Sequence, residues 1–239
     1  MGKWKQVQKY ASHIPSPIEH LKRNILSASR VLILDATFVQ VAGRDRAIHI
    51  AYDTGLGVVD YCIGKKETKK SYSYIFERLK KVGYRPICAV SDGNVGLVAS
   101  IQKNGWPHQR CIVHLLRELV RLLGELRVAD LKRKNREIYF LIHDIWMTKT
   151  IEEIPQKFSD FQKHEHRFKN KAWILEWFKE KSVAALMHLS FAEKIPRTSN
   201  AIENLNGQIK QRIKTMRGMK SAESLFNLLK IFFYFKNYK

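Results

Sequence analysis

Residues 31–41, VLILDATFVQV, run apolar and rich in β-branched side chains, with a single carboxylate, Asp35, in their midst. Such a run reads as a buried strand. RAIHIAY (46–52) and VVDYCIG (58–64) follow after turn signals at Ala42-Gly43 and Thr54-Gly55, so an antiparallel meander of three strands is expected. Tyr72, Ile75, Phe76, Leu79 and Val82 then recur at helical spacing, and Gly83 stands where a C-terminal cap belongs. Ile87 to Ser91 (ICAVS) is a second buried strand, Asp92-Gly93 a turn, Val95 to Gln102 a short helix, and Arg110 to Val113 a further strand. The fold class is α/β.

Beyond this core, residues 115–193 are helical almost throughout, as in Leu115, Leu116, Leu119, Leu122, Leu123 and Leu126. After Arg197-Thr198-Ser199-Asn200 comes a long amphipathic helix, with Ile202, Leu205, Ile209, Ile213 and Met216 on one apolar stripe and Gly218 at its end. The stretch from Leu225 to Phe235 is apolar almost all round and must be covered, either by its own sheet or by another subunit. Residues 1–29 are basic and broken by Pro15 and Pro17, which reads as a linker or a remnant. The expected division is therefore 1–29 linker, 30–114 first part of the core, 115–193 helical insertion, and 194–239 final part of the core.

The 239 residues are 45% hydrophobic and 11% aromatic, ample for a packed core, which excludes a disordered basic tail. Lys and Arg number 43 against 22 Asp and Glu, a formal charge of +21. The excess is uneven: residues 1–114 carry +10, residues 194–239 carry +8, and the helical insertion only +3. Two strongly basic pieces around a near-neutral insertion point to a polyanionic partner, nucleic acid, rather than to a surface charged for solubility alone. The three cysteines, Cys62, Cys88 and Cys111, form no disulfide framework, and the chain has no apolar signal region and no stretch long enough to span a bilayer. A cytoplasmic, nucleoid-associated protein is expected.

Three carboxylates stand where a core would not want them. Asp35 interrupts an apolar strand, where an unpaired charge costs several kcal/mol; a hydrogen-bonded strand-end Asp is the plain alternative. Asp92 follows a second apolar strand, at the edge where open α/β sheets place ligand-binding groups, although turns and helix caps also use Asp there. Glu203 lies in the first turn of the long basic helix, where Asn200 could form a capping box with it. Threes and fours from Glu203 lead to Asn206, Gly207, Lys210, Lys214 and Arg217, a polar and cationic face suited to phosphate. Carboxylates amid positive charge suit hard divalent cations, magnesium by default and manganese as a substitute.

Four segments carry a resemblance: LDATF around Asp35, VSDGN around Asp92, QRCIVHLLREL with Cys111 and His114, and RTSNAIENLNGQIKQRIKTMRGM around Glu203. In order and spacing they resemble the mutator-type DDE transposases of bacterial insertion sequences, over roughly residues 30–225. The resemblance implies a ribonuclease-H-like mixed sheet flanked by helices, with an all-helical insertion before the last catalytic helix. It also implies that Asp35, Asp92 and Glu203 bind two magnesium ions and cleave DNA at element ends. The freed 3′-hydroxyl would then be transferred into double-stranded target DNA, by a homo-oligomer assembled on the ends. Members usually carry a substantial DNA-binding region ahead of the first Asp, whereas 34 residues precede Asp35. A truncated copy, a catalytic core, or a protein whose specificity lies elsewhere all fit.

Cys111, His114 and His108 lack a fourth ligand at finger spacing, so zinc is disfavoured; Cys111 is expected in the core, with His114 orienting DNA or a carboxylate. Trp146, Trp173 and Trp177 are expected mainly in helical packing, with base stacking the alternative. Arg197 and Lys210 join His114, Asn206, Lys214 and Arg217 as candidate DNA contacts. A nuclease or resolvase on the same fold, or a catalytically idle DNA-binding protein derived from a transposase, remain competing readings.

Overall fold

A computed structural model describes residues 3–216 and 219–238; Arg217 and Gly218 lie outside the described residues. Two compact units are formed: Met1–Pro107 with Ser199–Lys239, and His108–Thr198.

The first unit opens with helices α1 (Lys3–His13) and α2 (Pro17–Arg23), then strands β1 (Val31–Val41), β2 (Arg44–Asp53) and β3 (Gly57–Gly64). Helix α3 (Lys69–Lys81), strand β4 (Cys88–Ser91) and helix α4 (Val95–Lys103) follow, and the chain returns at its end as α9 (Asn200–Thr215) and α10 (Ala222–Asn237). The second unit holds β5 (His108–Arg110), α5 (Ile112–Leu122), α6 (Arg133–Trp146), α7 (Glu153–Glu165) and α8 (Ala172–Ala185). The strands form one mixed sheet in the order β3-β2-β1-β4-β5, with β1, β2 and β3 antiparallel and β4 parallel to β1. This is the mixed sheet flanked by helices expected from the sequence.

The period-2 alternation of β1 sends Leu32 and Leu34 to one face, where they pack with Ala51, Val59 and Ala89 under Ile75, Phe76 and Leu79 of α3 and Leu97 and Ile101 of α4. At the other end of the order, α10 packs on β3: Tyr61 meets the rings of Phe226 and Phe233 at 5.5 and 5.1 Å, and Asn237 brackets the Val58 backbone with two hydrogen bonds of 2.9 and 2.7 Å. The apolar C-terminal stretch is thus covered by its own unit along Leu225, Leu229 and Phe233, while Phe226 and Phe235 stay about half exposed.

Elsewhere the structure departs from the sequence reading for local reasons. The stretch read as a linker is two helices, because Ser16 and Glu19 form a capping box and Pro17 takes the first helical position, where it has no hydrogen bond to lose. The strand expected over Arg110 to Val113 stops at Arg110, since Cys111 is already the N-cap residue of α5. Ser199, not Asn200, caps α9, and Met216 falls just past the helix end and is 43% exposed.

Two further carboxylates are structural. Asp53, fully buried at the end of β2, accepts from the backbone nitrogens of Ser29, Arg30, Gly55 and Leu56 at 2.8–3.1 Å and from the Tyr84 hydroxyl at 2.8 Å. It ties the entry to β1 to the β2–β3 turn, and Arg30 adopts a left-handed φ of 62° there. Asp60 on β3 is bound by Arg78 of α3, whose Nε lies 2.9 Å from Oδ2. In the second unit, α5, α6, α7 and α8 close around Leu115, Leu119, Ile142, Trp146, Phe161 and Phe178. Trp146 is fully buried and donates to Ser182 Oγ at 3.1 Å, Trp177 donates to Glu118 at 3.1 Å, and Trp173 is 51% exposed.

Burial of Asp60 outweighs the attraction of Arg78 and pushes its carboxyl up to about 6, from an ordinary value of 3.8. Between those values the folded chain holds a proton that the unfolded chain releases, so this group's contribution to stability falls as pH rises through the window. Urea unfolding at a series of pH values should therefore show wild type losing stability relative to Asp60→Asn between about pH 4 and 6, with no such drift above it.

Candidate active site

Strand β1 does not end at Asp35; it continues, paired with β2, to Val41. What ends beside Asp35 is the parallel pairing with β4, whose last register pair is Leu34 with Ser91. Asp35 follows Leu34 within β1, and Asp92 follows Ser91, the last residue of β4. The β1–β4 pairing therefore ends immediately before both carboxylates. Gly93 takes a φ of 93° and turns the chain into α4, while Asp92 Oδ1 accepts from Asn94 N–H at 3.0 Å. Both aspartates act on one hydroxyl: Tyr72 is pushed far up, first by burial and by Glu67 and then by the charges of Asp35 and Asp92.

The third carboxylate arrives from the far end of the chain. Asp35 Oδ1 accepts from Ala36 N–H at 2.8 Å, and its Oδ2 accepts from Asn206 Nδ2 at 2.8 Å, a bond between residues 171 positions apart. Asn206 belongs to α9, and Glu203 lies one turn earlier on the same helix, a spacing that puts the two Cβ atoms about 5–6 Å apart. Glu203 Oε1 accepts from Ser199 Oγ at 2.8 Å. Asp35, Asp92 and Glu203 are each half-buried, accessible yet partly withdrawn from water.

The expected phosphate-facing stripe of α9 divides. Lys210 and Lys214 are exposed, and Gly207 is exposed with open space where a Cβ would sit. Asn206 is only 7% exposed and serves Asp35. The signal was present in the sequence, because Asn206 is four residues after Ile202 and three before Ile209, inside the apolar stripe. In the second unit, Cys111 is buried at the start of α5, His114 is half-buried in its first turn, and His108 begins β5. Arg197 donates to the Met147 carbonyl at 3.1 Å, holding the segment before α9 to the end of α6. The residue that sequence reading passed over is Tyr72, because a tyrosine on an apolar helical stripe looks like any other core residue.

The donor set fits hard divalent cations. It consists of carboxylate oxygens, together with the Asn206 amide oxygen, which is buried without a hydrogen-bond partner. Among the described residues of this unit, no three carboxylate, imidazole or thiol ligand atoms lie within 4.8 Å of one another.

Comparison with curated proteins gives no match. Among solved structures, the chain is similar to the integrase catalytic core domain of HTLV-2 in complex with magnesium. For its trimeric form the identity is 17%, over 46% of this chain and 84% of that one, with a TM-score of 0.31. For the dimeric form the identity is 16%, over 46% and 81%, with a TM-score of 0.29. A simian T-cell lymphotropic virus intasome in complex with PP2A regulatory subunit B56 gamma matches at 16% identity over 46% of each chain, with a TM-score of 0.29. The family model described as Transposase, Mutator family, matches residues 15–238, nearly the whole length. The chain belongs to the Mutator family of transposases.

Proposed function

We propose that this chain is a DDE transposase in which Asp35, Asp92 and Glu203 hold two divalent cations, magnesium or, in its place, manganese, and catalyse phosphodiester cleavage and strand transfer. The observation that carries the reading is the Asn206–Asp35 hydrogen bond, which sets the helix bearing Glu203 against the point where β1 and β4 part. The donor atoms are hard oxygens, the type that magnesium and manganese prefer. Bound there, two such ions would activate a water or 3′-hydroxyl and stabilise the leaving oxygen of an in-line displacement.

The protein's own part is to orient the carboxylates. Asn206 keeps one Asp35 oxygen in place, Ala36 N–H satisfies the other, and the Asp92 carboxylate is pinned by the turn into α4. Lys210 and Lys214 extend along the exposed face of α9 and would neutralise DNA phosphates; Arg217, His114 and Arg197 are further candidates for that role. The partner is double-stranded DNA, element ends first and target second, and the assembly is a homo-oligomer on the paired ends. The formal charge of +21 favours both substrates. Among the described residues no helix is long and apolar enough to cross a membrane.

Asp35→Asn, Asp92→Asn and Glu203→Gln should each lower magnesium-dependent cleavage of end-containing DNA by about a thousandfold or more, the equivalent of several kcal/mol of transition-state stabilisation. Folding and nonspecific DNA binding should be spared, so full cleavage by any of the three would reject the site. A precleaved end with a free 3′-hydroxyl should become joined to target DNA; cutting without joining would mark a nuclease, and binding without cutting an idle descendant. Asn206→Leu keeps the shape and removes the donor, and should cost about 10- to 100-fold in activity or metal affinity, checked by metal-dependence curves. Fluorescence anisotropy should show DNA affinity falling steeply between low and moderate salt, and less steeply for Lys210→Ala with Lys214→Ala.

A further inference from the structure

The last two helices of the chain leave a groove of about 810 Å³ between them. Its floor is apolar and comes from α10, with Leu228, Ile231 and Phe232. Gln208, Arg212 and Thr215 of α9 form one rim, recurring at spacings of four and three. At about 100° of turn per residue, these three stand across the helix from Asn206, Lys210 and Lys214. The groove is therefore separate from the carboxylate site and from the cationic stripe beside it.

Its charge is of one sign. No carboxylate is among the described residues that line it. Arg212 and Lys236 are both exposed, and each holds its cation over the Phe232 ring, 5.6 and 5.7 Å from the centroid. Attraction to the ring face keeps the two cations at the groove rather than extended into water, and among the described residues neither is paired with a carboxylate. Past Glu203 the sequence carries a single acid, Glu223, to which Gln8 Nε2 donates at 3.0 Å.

An aromatic shelf adjoins these cations. Phe235, which also lines the groove, is 51% exposed, and Tyr10 of α1 beside it is 46% exposed. The two rings lie 6.3 Å apart and within 9° of parallel. Unpaired cations next to half-wet, parallel rings are the combination that holds single-stranded nucleic acid, since phosphates take the cations and bases stack on the rings. An acidic peptide could use the cations and the apolar floor but gains nothing from parallel rings. A second copy of the same groove would set like charges against each other.

We propose that the groove between α9 and α10 binds an unpaired DNA strand, with bases on Phe235 and Tyr10 and phosphates at Arg212 and Lys236. This is a second nucleic-acid site, additional to the face of Lys210 and Lys214. It stands on different residues from the carboxylate site, so its failure would leave the phosphoryl-transfer reading untouched.

Fluorescence anisotropy of the full chain with labelled oligo(dT), and with a duplex of equal length, tests this in buffer without divalent cations. Phe235→Ala should weaken oligo(dT) binding about tenfold and duplex binding by less than about twofold. Arg212→Gln combined with Lys236→Gln should flatten the salt dependence of oligo(dT) binding, lowering the slope of log affinity against log salt by about one. All three side chains are exposed, and thermal unfolding of the variants separates lost binding from lost structure. If neither variant changes oligo(dT) binding, or if both weaken duplex binding equally, the groove is no single-strand site and the proposal is overturned. A helical amphipathic peptide of Glu and Leu is the last arm. Should Phe235→Ala weaken binding of that peptide and spare oligo(dT), the groove belongs to an acidic protein partner instead.

Discussion

A single hydrogen bond, from the Asn206 amide to the Asp35 carboxylate, decides whether the two ends of this chain share a site. It joins a strand near the start to a helix near the finish, across everything folded between them. Asn206 sits on the buried face of its helix, in line with Ile202 and Ile209, where an amide without a partner would cost about 1–3 kcal/mol. Asp35 is half-buried and accepts that hydrogen bond at 2.8 Å. Each satisfies the other, and the rotation of α9 that allows it also sets Glu203 one turn away. Apolar packing alone would hold α9 on the sheet, but it would tolerate small slides that this bond does not.

The sheet's carboxylates show how one residue type serves opposite ends. Asp53 has five donors converging on its two oxygens and is a closed structural joint. Asp60 has Arg78 against it, and even so burial disfavours its charge. Asp35 and Asp92 stand just past the end of the β1–β4 pairing, where Asp35 meets Asn206 and Asp92 meets the backbone of Asn94.

Much of this was legible beforehand. The three strands around VLILDATFVQV, the helix ending at Gly83, the strand before Asp92 and the helical stretch from residue 115 all emerged from periodicity and turn residues, because those signals are local. Three misreadings were local as well: the helices α1 and α2 on either side of Pro15, the early end of β5, and the capping of α9 by Ser199. There, competing cap and turn residues lie within one or two positions of each other, and only the settled backbone shows which was used. The double duty of Asn206 was missed because polarity was weighed above its place on the apolar stripe.

Sequence by itself determined the element types, the uneven basic charge, the carboxylate-bearing motifs and the family they resemble, since each depends on residues close together along the chain. Tertiary structure alone decided that β4 runs beside β1 with their pairing ending at Leu34 and Ser91, that Asn206 faces Asp35, and that the Tyr72 hydroxyl meets Glu67. These are relations between segments far apart in the chain. Strand pairing and side-chain packing in three dimensions create them, and periodicity within any one segment carries no record of its neighbours.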